Sequence, residues 1–260
     1  MDLYIIKIGG AILDQPDRLH PFLSQFAAIA GEKILVHGGG KTATEMAGRL
    51  GIQPQFVDGR RITGADMLQV VVMVYGGLIN RQLVAHLRAL GCTAIGLAGA
   101  DAGLFHAHKR TGTAIDYGFV GDIDRVEASR LLHILQAGWV PVLAPLTCND
   151  AGQLLNTNAD TIAAEIAVAL STIRRTTLIY CFDRPGVLVE KNAGQVPVTT
   201  LNEQEYGRLT AEGAIRDGMI PKLDRGFHAL KHGASRVVLC QAEHLEQVIQ
   251  GRLCGTTLER

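Results

Sequence analysis

Two glycine turns, each directly after an apolar run, carry the clearest chemical signal in the sequence. Lys7-Ile8-Gly9-Gly10 closes the first apolar run, and His37-Gly38-Gly39-Gly40 closes the second. Glycine tolerates positive φ and has no Cβ to hold an anion away from the backbone, so each turn can offer bare N–H groups to a phosphate. Lys7 lies at the end of a predicted buried strand, and burying its ammonium without an anionic partner would cost free energy. The turns therefore predict a phosphate cradle formed by Gly9, Gly10, Gly38 and Gly39.

Neither turn fits a common nucleotide-binding motif. The stretch from His37 to Thr42 ends like a Walker A loop, but Leu35 stands where that motif needs its first glycine. Neither turn has the G-x-G-x-x-G spacing of a dinucleotide fingerprint. Taken alone, Gly38 to Gly40 are equally consistent with a tight strand-to-helix turn that binds no ligand.

Three further polar clusters follow along the chain. Gly59-Arg60-Arg61-Ile62-Thr63 offers a guanidinium, whose planar fork suits a carboxylate. Asn156-Thr157-Asn158-Ala159-Asp160 opens an apolar helix, and an N-cap accounts for only one of its polar side chains. The segment from Arg216 to Lys222 puts a lysine in the first turn of another predicted helix. Each cluster alone is also consistent with a solvated helix start.

The elements that must position these residues alternate between short β-branched runs and amphipathic stretches. This alternation predicts an α/β fold with a mainly parallel, doubly wound sheet covered by helices on both faces. Ligands collect at the carboxyl ends of the strands in such a fold, where Lys7 and His37 lie. Residues 105–125 and 145–158 break the pattern and predict hairpins over a binding site. The predicted strands are Leu3–Ile8, Lys33–Val36, Thr93–Leu97, Val140–Ala144, Thr177–Tyr180 and Arg236–Leu239; the predicted helices are Leu19–Ala30, Thr42–Leu50, Ala65–Leu90, Val126–Gln136, Ala159–Leu170, Glu203–Glu212 and Lys222–His232.

Composition bounds the class of protein. The 260 residues are 47% apolar, and 25 basic residues balance 25 acidic ones, so the chain has no overall field to hold nucleic acid or an anionic membrane. Five scattered cysteines without a CxxC pair favour a reducing compartment. We find no signal peptide and no run of the roughly 20 apolar residues that a membrane span needs. We expect a cytoplasmic protein with one large α/β domain or two lobes, dividing near Leu170 to Thr176.

In order and spacing, the motifs resemble those of the amino acid kinase family. The resemblance covers essentially the whole chain and rests on Lys7 to Gly10, His37 to Gly40, Arg61 to Thr63, Asn156 to Asp160, and Gly218-Met219 with Lys222. Family relatives for aspartate, uridylate or carbamate look different around Arg61 and the Asn-x-Asn-Ala-Asp stretch, which favours the acylglutamate branch. The resemblance implies a three-layer αβα sandwich of the carbamate kinase type with two lobes. Residues 1–172 would bind acylglutamate, form the phosphate cradle and dimerise, and residues 173–260 would bind ATP.

The resemblance also implies a reaction. It is transfer of the γ-phosphoryl group of ATP, carried as its Mg²⁺ complex, to the γ-carboxylate of N-acetyl-L-glutamate in arginine biosynthesis. By the same resemblance Lys7 and Lys222 are the catalytic cations, Asp160 holds both in register, and Arg61 grips the α-carboxylate. A carboxylate nucleophile is already ionised at neutral pH, so no general base is expected. Magnesium is expected on phosphates and water rather than in a protein cage. The remaining implied assignments are Gly38, Gly39, Asn156 and Asn158 for the substrate, and Asp183, Gly186 and Lys222 for the nucleotide.

Three features depart from the family pattern. Ala102 stands where the family often has glycine, and Phe182 replaces the usual small hydroxyl residue before Asp183. The chain begins at the first strand, without the N-terminal helix of arginine-inhibited hexameric members. That start implies a homodimer without arginine feedback.

Several alternatives stay open. N-succinyl-L-glutamate as the substrate would need another cation near the acyl pocket, and the sequence does not place Lys41, Arg60 or Lys109 there. Aspartate or uridylate could be the acceptor, or the chain could be a non-catalytic sensor of nucleotide or amino acid. The presence of Lys7 and Lys222 with Asp160 argues against a sensor, because a sensor has no need of transition-state charge.

Overall fold

The computed structural model describes residues 2–57, 59–191, 194–216 and 218–260, which form sixteen strands and ten α-helices. The strands are β1 (Asp2–Ile8), β2 (Glu32–His37), β3 (Gln55–Val57), β4 (Arg60–Ile62), β5 (Ala94–Leu97), β6 (Phe105–Lys109), β7 (Gly121–Val126), β8 (Val140–Leu143), β9 (Leu146–Cys148), β10 (Leu154–Asn156), β11 (Arg175–Phe182), β12 (Leu188–Lys191), β13 (Gly194–Pro197), β14 (Thr200–Leu201), β15 (Arg236–Gln241) and β16 (Thr256–Leu258). The helices are α1 (Gly10–Leu13), α2 (Pro16–Ala28), α3 (Gly40–Arg49), α4 (Ala65–Val71), α5 (Asn80–Ala89), α6 (Ala128–Gln136), α7 (Ala159–Ser171), α8 (Glu203–Ala211), α9 (Met219–Lys231) and α10 (Leu245–Ile249), with short 3₁₀ turns at Asp101–Gly103 and Ala242–His244.

Eight strands form one central sheet in the order β14-β16-β15-β11-β1-β2-β8-β5. Every neighbouring pair in it is parallel except β15 and β16. β1 lies between β2 and β11, so the carboxyl ends of these three strands meet at one edge of the sheet. The expected mainly parallel sheet is therefore confirmed.

Alternation along β1 separates two cores. Leu3 and Ile5 belong to the core shared with α6, α7, α8 and α9, whereas Ile6 and Ile8 belong to the core shared with α1 to α5 and α10. The molecule thus has three layers, as expected. Because successive strand residues point to opposite faces, Lys7 shares the face of Leu3 and Ile5 and points towards α7 and α9.

A single helical stretch runs from Ala65 to Ala89, but it is not α-helical throughout. Between α4 and α5 the segment Val72–Ile79 is a π-helix, which the sequence did not reveal. By length and mean hydropathy (25 residues, 1.3) this stretch meets the composition of a membrane span, although it holds no uninterrupted run of roughly 20 apolar residues. Its residues Val70, Val74 and Leu83 lie in the core beneath the sheet, as in the core helix of a globular domain.

Both predicted hairpins are present as antiparallel pairs, β6–β7 and β9–β10. Two further hairpins, β3–β4 and β12–β13, and the short strands β14 and β16 were missed, because strands of two to four residues carry too little alternation to be recognised. α9 begins at Met219 rather than Lys222. Pro221 fits its first turn because the N–H groups there have no partner within the helix.

Candidate active site

One carboxylate joins the two lysines that the sequence analysis selected. Lys7 Nζ lies 2.7 Å from Asp160 Oδ1, and Lys222 Nζ lies 3.2 Å from Asp160 Oδ2. β1 supplies Lys7, the first turn of α7 supplies Asp160, and the first turn of α9 supplies Lys222. The three residues are 153 and 62 positions apart along the chain, yet their charged groups meet at the carboxyl edge of the sheet.

In this cluster, burial and the nearby opposite charges act in opposite directions on the pKa values of Lys7 and Asp160. Burial lowers the pKa of Lys7, and the nearby Asp160 offsets this only in part. For Asp160, burial acts to raise the pKa, but the ammonium groups of Lys7 and Lys222 outweigh it and hold that pKa below its usual value. Asp160 is therefore ionised at neutral pH and unsuited to act as a base.

The two glycine turns face each other beside this cluster. A Cβ on Gly10 would lie 3.8 Å from the Gly39 nitrogen, and one on Gly38 would lie 3.6 Å from the Gly10 nitrogen. In the described part of the chain, the N–H groups of Gly10, Gly38 and Gly39 have no hydrogen-bond partner. Neighbouring free N–H groups at two turns are a typical setting for an anion.

Gly9 has a different contact from the other three glycines. Its N–H donates to the Cys181 carbonyl at 2.8 Å, so this nitrogen is already used. A Cβ on Gly9 would lie 3.4 Å from both the Cys181 oxygen and Phe182 Cβ. Gly9 thus packs the turn against β11, and the N–H groups of the predicted phosphate cradle that stay free in the described structure are those of Gly10, Gly38 and Gly39.

Gly39 adopts a conformation that favours glycine. Its φ is +147°, and a Cβ there would overlap Ile79 Cδ1 and lie 3.0 Å from a carbon of the Tyr75 ring. The second glycine turn is therefore packed directly against the π-helical segment, which leaves no room for a side chain.

Arg61 is a buried cation without a carboxylate partner among the residues that the structure describes. Its Nη2 donates to the Gly40 carbonyl at 2.7 Å and to Thr44 Oγ1 at 2.8 Å, and its guanidinium lies over the Phe56 ring. Neutral oxygens orient the group without cancelling its charge. A buried guanidinium of this kind suits an anionic ligand.

The two asparagines occupy different positions. Asn158 is the N-cap of α7, where its Oδ1 accepts from the backbone N–H groups of Asp160 and Thr161. Asn156 donates from Nδ2 to Thr63 Oγ1 at 2.9 Å. The oxygen of Asn158 is thus occupied by capping, whereas the amide oxygen of Asn156 carries no such bond in the described region.

The connection between β6 and β7 joins the end of β4, the strand of Arg61, to Asn156. Phe119 N–H donates to the Thr63 carbonyl at 2.7 Å, and Asn156 N–H donates to the Phe119 carbonyl at 2.9 Å. Gly118, with φ of +71°, lies so close to Thr63 that a Cβ would overlap its carbonyl. This hairpin therefore closes one side of the site.

The predicted nucleotide residues lie at the end of β11. Asp183 is exposed directly after the strand, and Gly186 is buried with φ of +151°. A Cβ on Gly186 would lie 3.1 Å from the Thr256 nitrogen, so glycine lets this loop pack on the turn before β16. Both residues lie along the same edge of the sheet as Gly9, but on the side of β15 and β16.

The site carries excess positive charge. Lys7, Lys222 and Arg61 contribute three cations and Asp160 one carboxylate, a net charge of +2 before any substrate binds. No group of three or more His, Cys, Asp or Glu side chains in the described ranges is arranged to hold a metal ion. The excess positive charge suits anionic substrates.

Sequence reasoning assigned no role to several residues that shape the site. Thr44 and Thr63 hold Arg61 and Asn156, and Asn80 forms a buried contact with His37. The sequence signal for Asn80 is an asparagine that directly follows the apolar run from Val70 to Ile79. Thr63 lies in the selected stretch Arg61 to Thr63 but received no role there, and no comparable signal marks Thr44.

Comparison with known proteins extends the similarity beyond these motifs. Residues 2–241 match the model of the amino acid kinase family. A protein named acetylglutamate kinase from Cytophaga hutchinsonii is 50% identical over 258 residues, which is 98% of each chain. One of the same name from Bacteroides fragilis is 50% identical over 240 residues, 92% of each chain. Among solved structures, smu.665 from Streptococcus mutans UA159 matches with a TM-score of 0.82 at 25% identity, over 98% of each chain.

Proposed function

The chain belongs to the amino acid kinase family, and we propose that it transfers the γ-phosphoryl group of ATP to the γ-carboxylate of N-acetyl-L-glutamate. The product would be N-acetyl-L-glutamyl 5-phosphate, in arginine biosynthesis. The observation that carries this proposal is the Asp160 carboxylate between Lys7 and Lys222, beside two turns with free N–H groups. Relatives named acetylglutamate kinase, 50% identical over nearly the full length, support the choice of acceptor.

The chemical obstacle is repulsion between two anions that must meet in line. At about 4 Å and an effective dielectric near 20, each pair of unit charges repels by roughly 4 kcal/mol. A site with a net charge of +2 offsets that repulsion before substrates arrive. Phosphoryl transfer needs little covalent help from the protein, so positioning and electrostatics account for most of the catalysis.

The two lysines neutralise the negative charge of different substrate groups. Lys7 neutralises the transferring phosphoryl group, and Lys222 neutralises the ATP phosphates and the leaving oxygen. Asp160 holds both ammonium groups in place. The free N–H groups of Gly10, Gly38 and Gly39 bind the phosphoryl oxygens as charge moves onto them.

The acceptor is oriented from its other end. Arg61 binds the α-carboxylate of the acylglutamate, since its guanidinium is buried beside the second glycine turn and lacks an anion in the described structure. Asn156 or Asn158 reads the amide and carboxylate edges of the substrate. The β6–β7 hairpin covers the substrate and excludes water that would hydrolyse the acyl phosphate.

We further propose a division of labour along the chain. Residues 1–172 bind the acylglutamate, form the phosphate cradle and dimerise, while residues 173–260 bind ATP through Asp183, Gly186 and Lys222. Mg²⁺ arrives as the MgATP complex, held by phosphates and water, because Asp160 is already committed to two ammonium groups.

The last feature of the substrate to assign is its acyl group, acetyl or succinyl. Three cations were considered for a second carboxylate. Arg60 is exposed, Lys109 Nζ lies 3.4 Å from Asp116, and Lys41 Nζ lies 3.9 Å from Glu45. Each of these lysines thus has a carboxylate partner already. We therefore propose acetyl as the acyl group and keep N-succinyl-L-glutamate as the second substrate to test.

We also propose a cytoplasmic homodimer whose only other partners are small molecules. Met73 and Leu78 are exposed on the long helix, and Trp139 is 44% exposed beside β8, next to the edge strand β5. Exposed apolar side chains and an open sheet edge each favour a second copy of the chain. The five cysteines are all free thiols, and Cys181 and Cys240 are fully buried, which fits a reducing compartment.

The deciding experiment is ADP release from MgATP with a panel of acceptors: N-acetyl-L-glutamate, N-succinyl-L-glutamate, L-aspartate, uridylate and carbamate. We expect the fastest release with N-acetyl-L-glutamate. Release with neither acylglutamate would contradict the proposal. Release with aspartate or uridylate alone would indicate another branch of the family, and nucleotide binding without turnover would indicate a sensor.

A further inference from the structure

Asn80 is a fully buried polar side chain that the proposed chemistry does not use. It is the first residue of α5, directly after the π-helical segment. Its Nδ2 donates to His37 Nε2 at 3.1 Å and to the Val142 carbonyl at 2.9 Å, while its Oδ1 accepts from Arg81 Nη2 at 2.7 Å. The carbonyl acceptor on one side and the guanidinium donor on the other determine the orientation of the amide.

That orientation determines the proton position on His37. Because Asn80 presents an N–H to Nε2, this nitrogen accepts, and the ring proton resides on Nδ1. Nδ1 then donates to the Gly38 carbonyl at 2.8 Å. Burial, with a smaller effect from Lys7, lowers the pKa of His37 to about 4, so the neutral ring is the form present at physiological pH.

The Gly38 carbonyl belongs to the same peptide unit as the Gly39 N–H. The described backbone contains no cis peptide bond, and in a trans peptide the C=O and N–H point in opposite directions. Holding the carbonyl on His37 therefore aims the Gly39 N–H away from the imidazole. This N–H is one of the free donors of the phosphate cradle.

The π-helical segment brings Asn80 onto the right side of the helix. Tyr75 and Ile79 already pack on Gly39. In an α-helix a residue five positions after Tyr75 would be turned away from it by about 140°. A π-helix closes hydrogen bonds between residues five apart, so it lets Tyr75, Ile79 and Asn80 all face the second glycine turn.

Gly96 leaves the space that Asn80 occupies. A Cβ at this position of β5 would overlap Asn80 Oδ1 and the Arg81 guanidinium. The contacts thus form a continuous series from the edge strand through Asn80 and His37 to the second glycine turn.

We propose that Asn80 is a positioning residue that acts through His37 to aim the Gly39 N–H at the transferring phosphoryl group. This inference rests on the proposed phosphoryl transfer. It adds that Asn80 and His37 together orient one of the N–H donors used in that transfer. A donor aimed before the reaction stabilises the charge that develops during transfer, so its loss lowers kcat more than it raises KM.

The first test is Asn80→Leu, which keeps the approximate volume and removes all three hydrogen bonds. We expect kcat to fall by about fivefold or more while KM for ATP and acylglutamate stays within about threefold. A smaller fall, or a rise in KM with unchanged kcat, would overturn the proposal. Val70→Ala, in the core of the same helical stretch, is the control for lost packing alone; it should lower Tm without changing kcat.

A matched pair at His37 separates aiming from general packing and does not depend on the Asn80 variant folding. Asparagine places its amide near the position of Nδ1 and can still donate to the Gly38 carbonyl, whereas glutamine reaches the position of Nε2. We expect His37→Asn to retain at least about fivefold more kcat than His37→Gln. Equal values, or the reverse order, would contradict the aiming role.

The third test needs no activity. The ¹⁵N shifts of the His37 ring in the wild-type protein at neutral pH should show a protonated Nδ1 and an unprotonated Nε2. A protonated Nε2 would overturn the proposal even if the enzyme is active. If no acylglutamate is phosphorylated but Nδ1 carries the proton, the proposed function is wrong, whereas the predicted hydrogen bonding between Asn80 and His37 is confirmed.

Discussion

Asp160 Oδ1 lies 2.7 Å from Lys7 Nζ, so one buried ion pair joins the first turn of α7 to the carboxyl end of β1. The helix N-terminus favours the carboxylate, and the carboxylate keeps a buried ammonium charged. The same carboxylate contacts Lys222 from a third element. The geometry of the two cations therefore depends on a residue that need not touch the substrate.

Replacing Lys7 tests its charge directly. We expect Lys7→Ala to lower kcat by at least about a hundredfold, the scale for losing one preorganised charge contact. Steady-state ADP release measures this. Lys33→Ala is the matched control, because Lys33 is also buried but, among the residues that the structure describes, donates only to the Ala27 and Ile29 carbonyls. Near-normal kcat in Lys7→Ala would remove Lys7 from its role.

Arg61 offers a test of substrate binding. We expect Arg61→Lys to raise KM for the acylglutamate by about tenfold or more, because an ammonium cannot reproduce the planar fork, with a smaller effect on KM for ATP. Arg60→Lys, at the exposed neighbouring position, should change neither constant. Equal rises in both KM values would argue against a contact between Arg61 and the acceptor.

The buried His37 predicts how stability depends on pH. Its pKa is about 4 in the folded protein, against an ordinary value of 6.5. Between these values the unfolded chain binds a proton that the native ring does not, so stability is lost as pH falls from about 6.5 towards 4. The loss from this residue is about 3 kcal/mol.

Urea unfolding between pH 7.5 and 4 measures this loss. His37→Asn should flatten the slope, whereas replacing the exposed His133 by asparagine should leave it unchanged. An unaltered slope in His37→Asn would show that the ring is not held neutral.

Ala102 predicts a gain in stability. It is the single non-glycine residue with positive φ (51°) in the described backbone, and the Arg130 side chain donates to its carbonyl. We expect Ala102→Gly to raise the free energy of unfolding by up to about 1 kcal/mol, because the left-handed conformation is strained for a residue with a Cβ. Ala100→Gly, in the same loop at φ of −71°, should instead lose stability. Thermal unfolding compares the two, and a loss in both variants would contradict the strain argument.

Local features were predictable because their causes are local. The apolar run before Lys7 predicted a strand end there, and glycine after each of the first two strands marked the turns. One N-cap was expected between Asn156 and Asp160, and the structure places it at Asn158. The departure at Ala102 was also visible in the sequence. Only the structure shows that Ala102 itself adopts the left-handed conformation that glycine would take without strain.

Features that depend on remote partners could not be read in this way. The use of the Gly9 N–H depends on Cys181, and the orientation of Arg61 depends on Gly40 and Thr44. The π-helical segment is a further case, since nothing in Val72 to Ile79 distinguishes it from the α-helix that the apolar pattern predicts.

By itself, the sequence determined which groups are present: a lysine at a strand end, glycines that expose their N–H groups, an acidic residue at a helix start and a second lysine at another. Those properties follow from residue type and neighbours within a turn of the chain. The tertiary structure decided which of these groups meet and which N–H groups stay free, because hydrogen bonds and ion pairs act over a few ångströms in space. Lys7, Asp160 and Lys222 became one cluster, and Asn80 became the partner of His37, only when the sheet brought their strands and helices to a common edge.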